Sequence, residues 1–124
     1  MNKLNVFVFG IILLFSTNNV KAEEQSPFEC KLKTVVQYTP NQDREVSDEI
    51  QRGHMGFVIR QLSSGLMDFG GPFMGESKRP IGGMAIYNLT DKNEVEEMTK
   101  TDPIIKSGVA KYSIQSWTQC QMRN

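Results

Sequence analysis

CKLKTVVQY, residues 30–38, alternates along its length: Leu32, Val36 and Tyr38 fall in one phase, and Lys31, Lys33 and Gln37 in the other. A period of two marks a half-buried strand. The stretch opens on one of the chain's two cysteines, and the other, Cys120, closes a second alternating run, VAKYSIQSWTQC at 109–120. If the two runs lie antiparallel with Cys30 opposite Cys120, Val36 faces Ile114 and Tyr38 faces Tyr112. Both cysteines then fall in phase with apolar residues of their strands, as pairing on one face requires. The first and last strands are thereby predicted to be neighbours, joined by a disulfide.

Between them, the apolar residues Ile50, Phe57, Val58 and Leu62 recur at helical spacing from Asp48 to Ser64. Asp48 and Gln51 stand at capping-box spacing and Gly65 supplies a stop. LMDFGGPF (66–73) and IGGMAIYNL (81–89) are strand-like, and the polar MGESKRP between them makes a hairpin turn. TDKNEVEEMTKT (90–101) gives a second helix, with Asp91 and Glu94 at capping spacing and Val95 and Met98 on one face. After Asp102-Pro103 a brief turn runs to Gly108. The order β-α-β-β-α-β predicts an α+β fold, a ferredoxin-like sandwich of four antiparallel strands with both helices on one face. The third strand is apolar in both phases, Ile81, Ala85, Tyr87 and Leu89 alternating with Met84 and Ile86. Helices cover one sheet face only, so the other is expected to expose apolar surface and to pair sheet to sheet in a homodimer.

The amino terminus carries a different signal. Lys3, the apolar run Val6 to Phe15 and Val20-Lys21-Ala22 have the layout of a secretory signal peptide at residues 1–22, leaving 23–124 as one domain. Ten apolar residues are about half of what spans a bilayer, so a retained anchor fits less well. Export, periplasmic or extracellular, is the expectation, and an oxidising compartment suits the cysteine pair. Loss of Lys3 and Lys21 leaves twelve basic against fourteen acidic residues, with no basic stripe for nucleic acid and no second membrane segment. Two cysteines and one histidine are too few for a structural zinc site, and nothing in the chain suggests an organic cofactor. A small-molecule ligand is the expected partner. Asn88-Leu89-Thr90 is a glycosylation sequon, meaningful only in a eukaryotic source.

With those residues in view, the chain from about Leu32 to Trp117 resembles the YCII-related family. The matching pieces are His54 followed by an apolar helix and Gly65, GGPF in the second strand, the glycine-bearing IGGMAIYNL, and DPIIKSGV before the last strand. The resemblance implies the dimeric α+β barrel type of fold and a reactive histidine–aspartate pair between helix and sheet. By position these are His54 and Asp102. Family members often carry an arginine just upstream of the histidine; this sequence departs from that pattern, with Arg52 two residues before His54 and Gly53 between them. The signal peptide and the cysteines are additions to the common cytoplasmic pattern.

Each candidate also has a plain structural use. His54 lies four residues after Ile50 and three before Phe57, on the apolar face of its helix, where it serves equally as a packed core residue or as an acid–base. Asp102 before Pro103 is a good helix N-cap. Gly70 and Gly71 offer close backbone approach to a ligand or mark a bulge. Arg52 is a candidate ligand contact, as is Tyr38. Serine catalysis lacks its G-x-S-x-G elbow, and a disulfide removes the thiolate that cysteine catalysis needs. Two functions stay open: a lyase or isomerase working on a small molecule through His54 and Asp102, and a non-catalytic module that binds a small ligand or a partner.

Overall fold

The computed structural model describes residues 26–124, so the leader predicted at 1–22 lies outside the described residues. The elements are β1 (Phe28–Pro40), α1 (Asp48–Ser63), β2 (Met67–Met74), β3 (Pro80–Tyr87), α2 (Lys92–Thr99), α3 (Pro103–Lys106) and β4 (Ala110–Met122). They form one four-stranded sheet in the order β2-β3-β1-β4, the ferredoxin-like arrangement. β4 lies beside β1, as the two cysteine-bearing runs required.

The helices begin and end where local chemistry dictates. α1 is capped by Ser47, not by the expected Asp48: the Ser47 hydroxyl accepts from the Ile50 amide at 3.2 Å. Asp48 and Glu49 are thereby placed in the first turn, where the exposed amides favour negative charge. The helix stops at Gly65, whose φ of 81° needs no Cβ to be accommodated. Asp91 caps α2 as its spacing predicted, accepting from the amides of Asn93 and Glu94. The brief turn expected after Asp102-Pro103 is instead the short helix α3. Asp102 caps it and Pro103, which has no amide hydrogen to leave unpaired, occupies its first turn.

β3 pairs antiparallel with both β1 and β2. On β1 and β3 the partners Thr34–Tyr87, Val36–Ala85 and Tyr38–Gly83 share one face. Val36, Tyr38, Met67, Ala85, Tyr87 and Val95 form the buried core, and Val58 of α1, Met98 of α2 and Ile104 of α3 pack on it. Leu32 is in phase with these residues yet 50% exposed; Thr34 is fully buried, its hydroxyl donating to the Leu89 carbonyl at 2.6 Å. The opposite face carries Val35–Ile86 and Gln37–Met84, with Phe69 paired to Ile86. Phe69 is 59% exposed there and Met84 37%, the uncovered apolar surface that the two-sided pattern of β3 predicted.

β2 is an edge strand, which is why it tolerates Pro72. Its register shifts fall between Met67 and Phe69 and between Pro72 and Met74. The irregularities therefore flank Gly70-Gly71, which themselves pair with Ala85 and Met84. Asp68 sits in the first of them, and its carboxylate receives the ammonium of Lys33, which also donates to Asn88 at 3.0 Å. These two partners allow Lys33 to be buried.

Residues 31–119 form one compact unit; the segments ending at Cys30 and starting at Cys120 form another. Within the terminal unit Cys30 and Cys120 are disulfide-bonded, 90 residues apart in sequence. The Arg123 amide donates to the Pro27 carbonyl at 2.7 Å, and its guanidinium to the carbonyls of Ser26 and Phe28, each at 3.1 Å. No helix among the described residues is long and apolar enough to cross a membrane.

Candidate functional site

His54 stands on the second turn of α1, and Asp102 at the start of α3. What brings them together is the close approach of the two helices at Gly53: a Cβ on that glycine would lie 2.9 Å from Pro103 Cγ and 3.1 Å from its Cβ. Only a residue without a side chain fits against the proline ring. One residue later, His54 Nδ1 lies 3.0 Å from Asp102 Oδ1 and 2.9 Å from Oδ2.

Asp102 is fully buried, and every hydrogen bond of its carboxylate treats it as an acceptor. Oδ1 accepts from the Ile104 amide at 3.1 Å, the capping bond. Oδ2 accepts from the Tyr38 hydroxyl at 3.1 Å. The cap and the imidazole contact thus coexist on one carboxylate, so neither use displaces the other. Burial first, and then the charge of the Asp102 carboxylate, push the Tyr38 phenol well above its ordinary value, which keeps it a donor. The Tyr38 ring also meets the His54 ring edge to face, centroids 5.6 Å apart. Tyr87, deeper in the core, is pushed upward by the same two causes, and its hydroxyl has no partner among the described residues.

With an acceptor on Nδ1, the neutral imidazole carries its proton there and leaves the Nε2 lone pair unprotonated. Nε2 bonds to no described residue, and the His54 side chain keeps 19% of its surface accessible. That accessible part faces a cavity of about 490 Å³, within the range of small-molecule sites. Val58, Leu62, Met67 and Ile104 give it apolar walls; Gln51, Asn41, Gln42 and Arg44 are its polar residues besides Tyr38 and His54. The apolar stripe of α1 is therefore divided. Phe57 is buried, whereas Met55, Ile59 and Leu62 stay exposed along the cavity.

Gly70 and Gly71 line this cavity, and Tyr38 does too. Arg52 does not: it is exposed on α1, and Gly53 beside it is the residue turned toward Pro103. The cation at the cavity is Arg44, in the loop after β1, which the alternation and helical spacing of the sequence gave no reason to single out. Asn41 was the available signal, an asparagine two residues before an aspartate, suited to fold the loop back on itself. Among the described residues no group of three or more His, Cys, Asp or Glu is placed to hold a metal ion.

Comparison with known proteins bears on this geometry at two levels. No curated protein matches the chain. Seven solved chains do, among them 5-chloro-2-hydroxyhydroquinone dehydrochlorinase (TftG) from Burkholderia phenoliruptrix AC1100, determined in complex with 2,5-dihydroxybenzoquinone. The match has 18% identity and a TM-score of 0.50, and covers 68% of this chain and 92% of that one. At such identity the likeness is one of fold, and the fold is of the dimeric α+β barrel type. The family model of the YCII-related domain matches residues 32–118, spanning β1 to β4 and both members of the histidine–aspartate pair. The chain belongs to the YCII-related family.

Proposed function

We propose that this protein is an exported YCII-like enzyme that moves a proton on a small molecule held in the cavity beside His54. His54 Nε2 is the acid–base and Asp102 the positioning residue. The observation that carries the proposal is the pairing of Nδ1 with a buried carboxylate, while the same ring lines an open cavity. The carboxylate holds the tautomer and orientation, and stabilises the imidazolium that forms when Nε2 takes a proton. In an elimination the proton goes to Nε2, the C–H electron pair forms the new double bond, and the leaving group departs with its own bonding pair. In an isomerisation the imidazolium returns the same proton to another atom of the ligand. Tyr38, held protonated, keeps the carboxylate fixed through both directions of transfer.

The ligand of the structural relative, 2,5-dihydroxybenzoquinone, and its activity as a dehydrochlorinase favour an oxygenated ring as the first substrate class to test. Export follows from the leader pattern at residues 1–22, and agrees with a disulfide clamping the domain ends. A homodimer formed sheet to sheet would cover Phe69 and Met84, which are otherwise left in water.

The test is release of chloride from 5-chloro-2-hydroxyhydroquinone, and incorporation of solvent deuterium into its dechlorinated analogue, by the wild type and by His54→Gln. Activity in the first and loss of two to four orders of magnitude in the second, about 10²- to 10⁴-fold, is the expected result. Binding of the compounds with no exchange and no chloride release in either protein would leave a non-catalytic binding module. Asp102 favours that second reading to one extent: its capping of α3 accounts for its burial without any chemistry.

A further inference from the structure

We infer that the cavity selects an anionic ligand with an apolar body, and that Arg44 is the residue that recognises the anion. The inference rests on the small-molecule site proposed above and adds the class of molecule it admits. Of the ionisable residues lining the cavity, Tyr38 and His54 lie at its base, and Arg44 is the one that carries a permanent charge. No aspartate, glutamate or lysine lines it. Asp102 lies behind His54, fully buried and engaged by Tyr38, His54 and Ile104, so its charge is not presented to the ligand.

Arg44 is also held in place, although its own head group makes no ion pair or side-chain hydrogen bond among the described residues. The Asn41 amide donates to the Val109 carbonyl at 2.8 Å, the Asn41 side chain to the Gly108 carbonyl at 3.1 Å, and the Arg44 amide to the Asn41 carbonyl at 3.1 Å. These bonds tie the loop to the segment before β4. The guanidinium then rests against Gly108, where a Cβ would lie 3.7 Å from Cζ and 3.8 Å from Nη1. Gly108 has a φ of 78°, so a glycine both makes the turn and leaves that surface open. A guanidinium with free donors at the edge of an apolar slot suits a carboxylate or an enolate, which it meets with two parallel hydrogen bonds. The apolar walls formed by Val58, Leu62 and Met67 take the rest of the molecule.

The test compares two probes of one shape, 4-phenylbutyrate and its neutral amide 4-phenylbutanamide, by calorimetry, with the methyl signals of Met55 and Met67 reporting occupancy of the cavity. The wild type is expected to bind the carboxylate about tenfold or more tightly than the amide. Arg44→Gln should abolish that preference and leave amide binding unchanged, and Arg52→Gln should alter neither. Equal affinity for the two probes in the wild type, survival of the preference in Arg44→Gln, or failure of both probes to shift the methionine methyls would each overturn the inference. His54→Gln separates this outcome from the acid–base proposal. Carboxylate selectivity kept in a protein whose turnover does not depend on His54 sinks the chemistry and leaves the anion site standing; turnover that depends on His54 without selectivity does the reverse.

Discussion

His54 Nδ1 sits 2.9 and 3.0 Å from the two carboxylate oxygens of Asp102, and one of those oxygens also caps the helix that follows. A single side chain therefore orients the imidazole and starts α3. The two roles can be separated by substitution, because asparagine caps a helix about as well as aspartate but carries no charge.

Asp102→Asn should keep the cap and lower turnover by about 10²-fold or more, since an amide neither stabilises the imidazolium nor enforces the tautomer. Asp102→Ala should in addition lose about 1 kcal/mol of capping and leave the buried Tyr38 hydroxyl unpaired at a further cost of about 1–3 kcal/mol. Urea denaturation of the two variants, read beside their rates, checks the division. Equal destabilisation would mean that the charge, and not the cap, holds α3.

Gly53→Ala tests the approach of α1 to α3. In an open helix the exchange would stabilise by about 1 kcal/mol. Here the added carbon meets the Pro103 ring, which cannot rotate away, and overpacking of this kind costs about 1–3 kcal/mol. A net loss of about 1 kcal/mol is expected, together with weaker pairing of His54 to Asp102, visible as changed imidazole ring chemical shifts by NMR. A variant more stable than the wild type would show that the helices do not touch at this point.

Tyr38 and Tyr87 give the protein a defined alkaline limit. Both phenols are raised above the ordinary value of 10.0, first by burial and then by the Asp102 charge. Their protonated forms are thus favoured in the folded state. The associated stability is fully present below about pH 10 and is lost as the pH climbs from there toward the folded values, by about 1.4 kcal/mol per pH unit for each phenol. Urea midpoints between pH 8 and 11.5 should fall above pH 10, and fall less steeply in Tyr87→Phe. Phenolate absorbance of the native protein should lag that of the urea-unfolded chain; coincident curves would count against burial of these hydroxyls.

Cys30→Ser together with Cys120→Ser should lower stability by about 2–4 kcal/mol, because the bridge closes a loop of 90 residues that the unfolded chain must otherwise leave open. The wild type should present no thiol to a labelling reagent until it is reduced. Two labelled cysteines in the unreduced protein would refute the pairing, and an unchanged urea midpoint in the double variant would show that the clamp at the chain ends adds nothing to stability.

Much of the architecture was legible before the structure, and the reason is the short range of the signals involved. Alternation marked β1 and β4, spacing marked α1 and α2, and Asp91 announced its own cap. Placing the two cysteine runs side by side followed from pairing on one face. Missed features depended on a choice between adjacent candidates: Ser47 over Asp48 as the cap, Thr34 over Leu32 as the buried residue, and a helical turn at α3 where only a turn was expected.

The sequence alone determined the order of elements, the neighbouring of first and last strands, and the apolar surface on both sides of β3, since each follows from periodicities of a few residues. Tertiary structure decided the site. His54 and Asp102 are 48 residues apart and Tyr38 and Asp102 are 64 apart, and a periodic pattern says which side a residue faces, not what lies opposite. That Met55 and Ile59 border a cavity while Phe57 is buried, and that Arg44 reaches the cavity while Arg52 faces away, depends on where α1 stops touching the sheet. Gly53, in turn, sets how closely α1 approaches Pro103 at the start of α3.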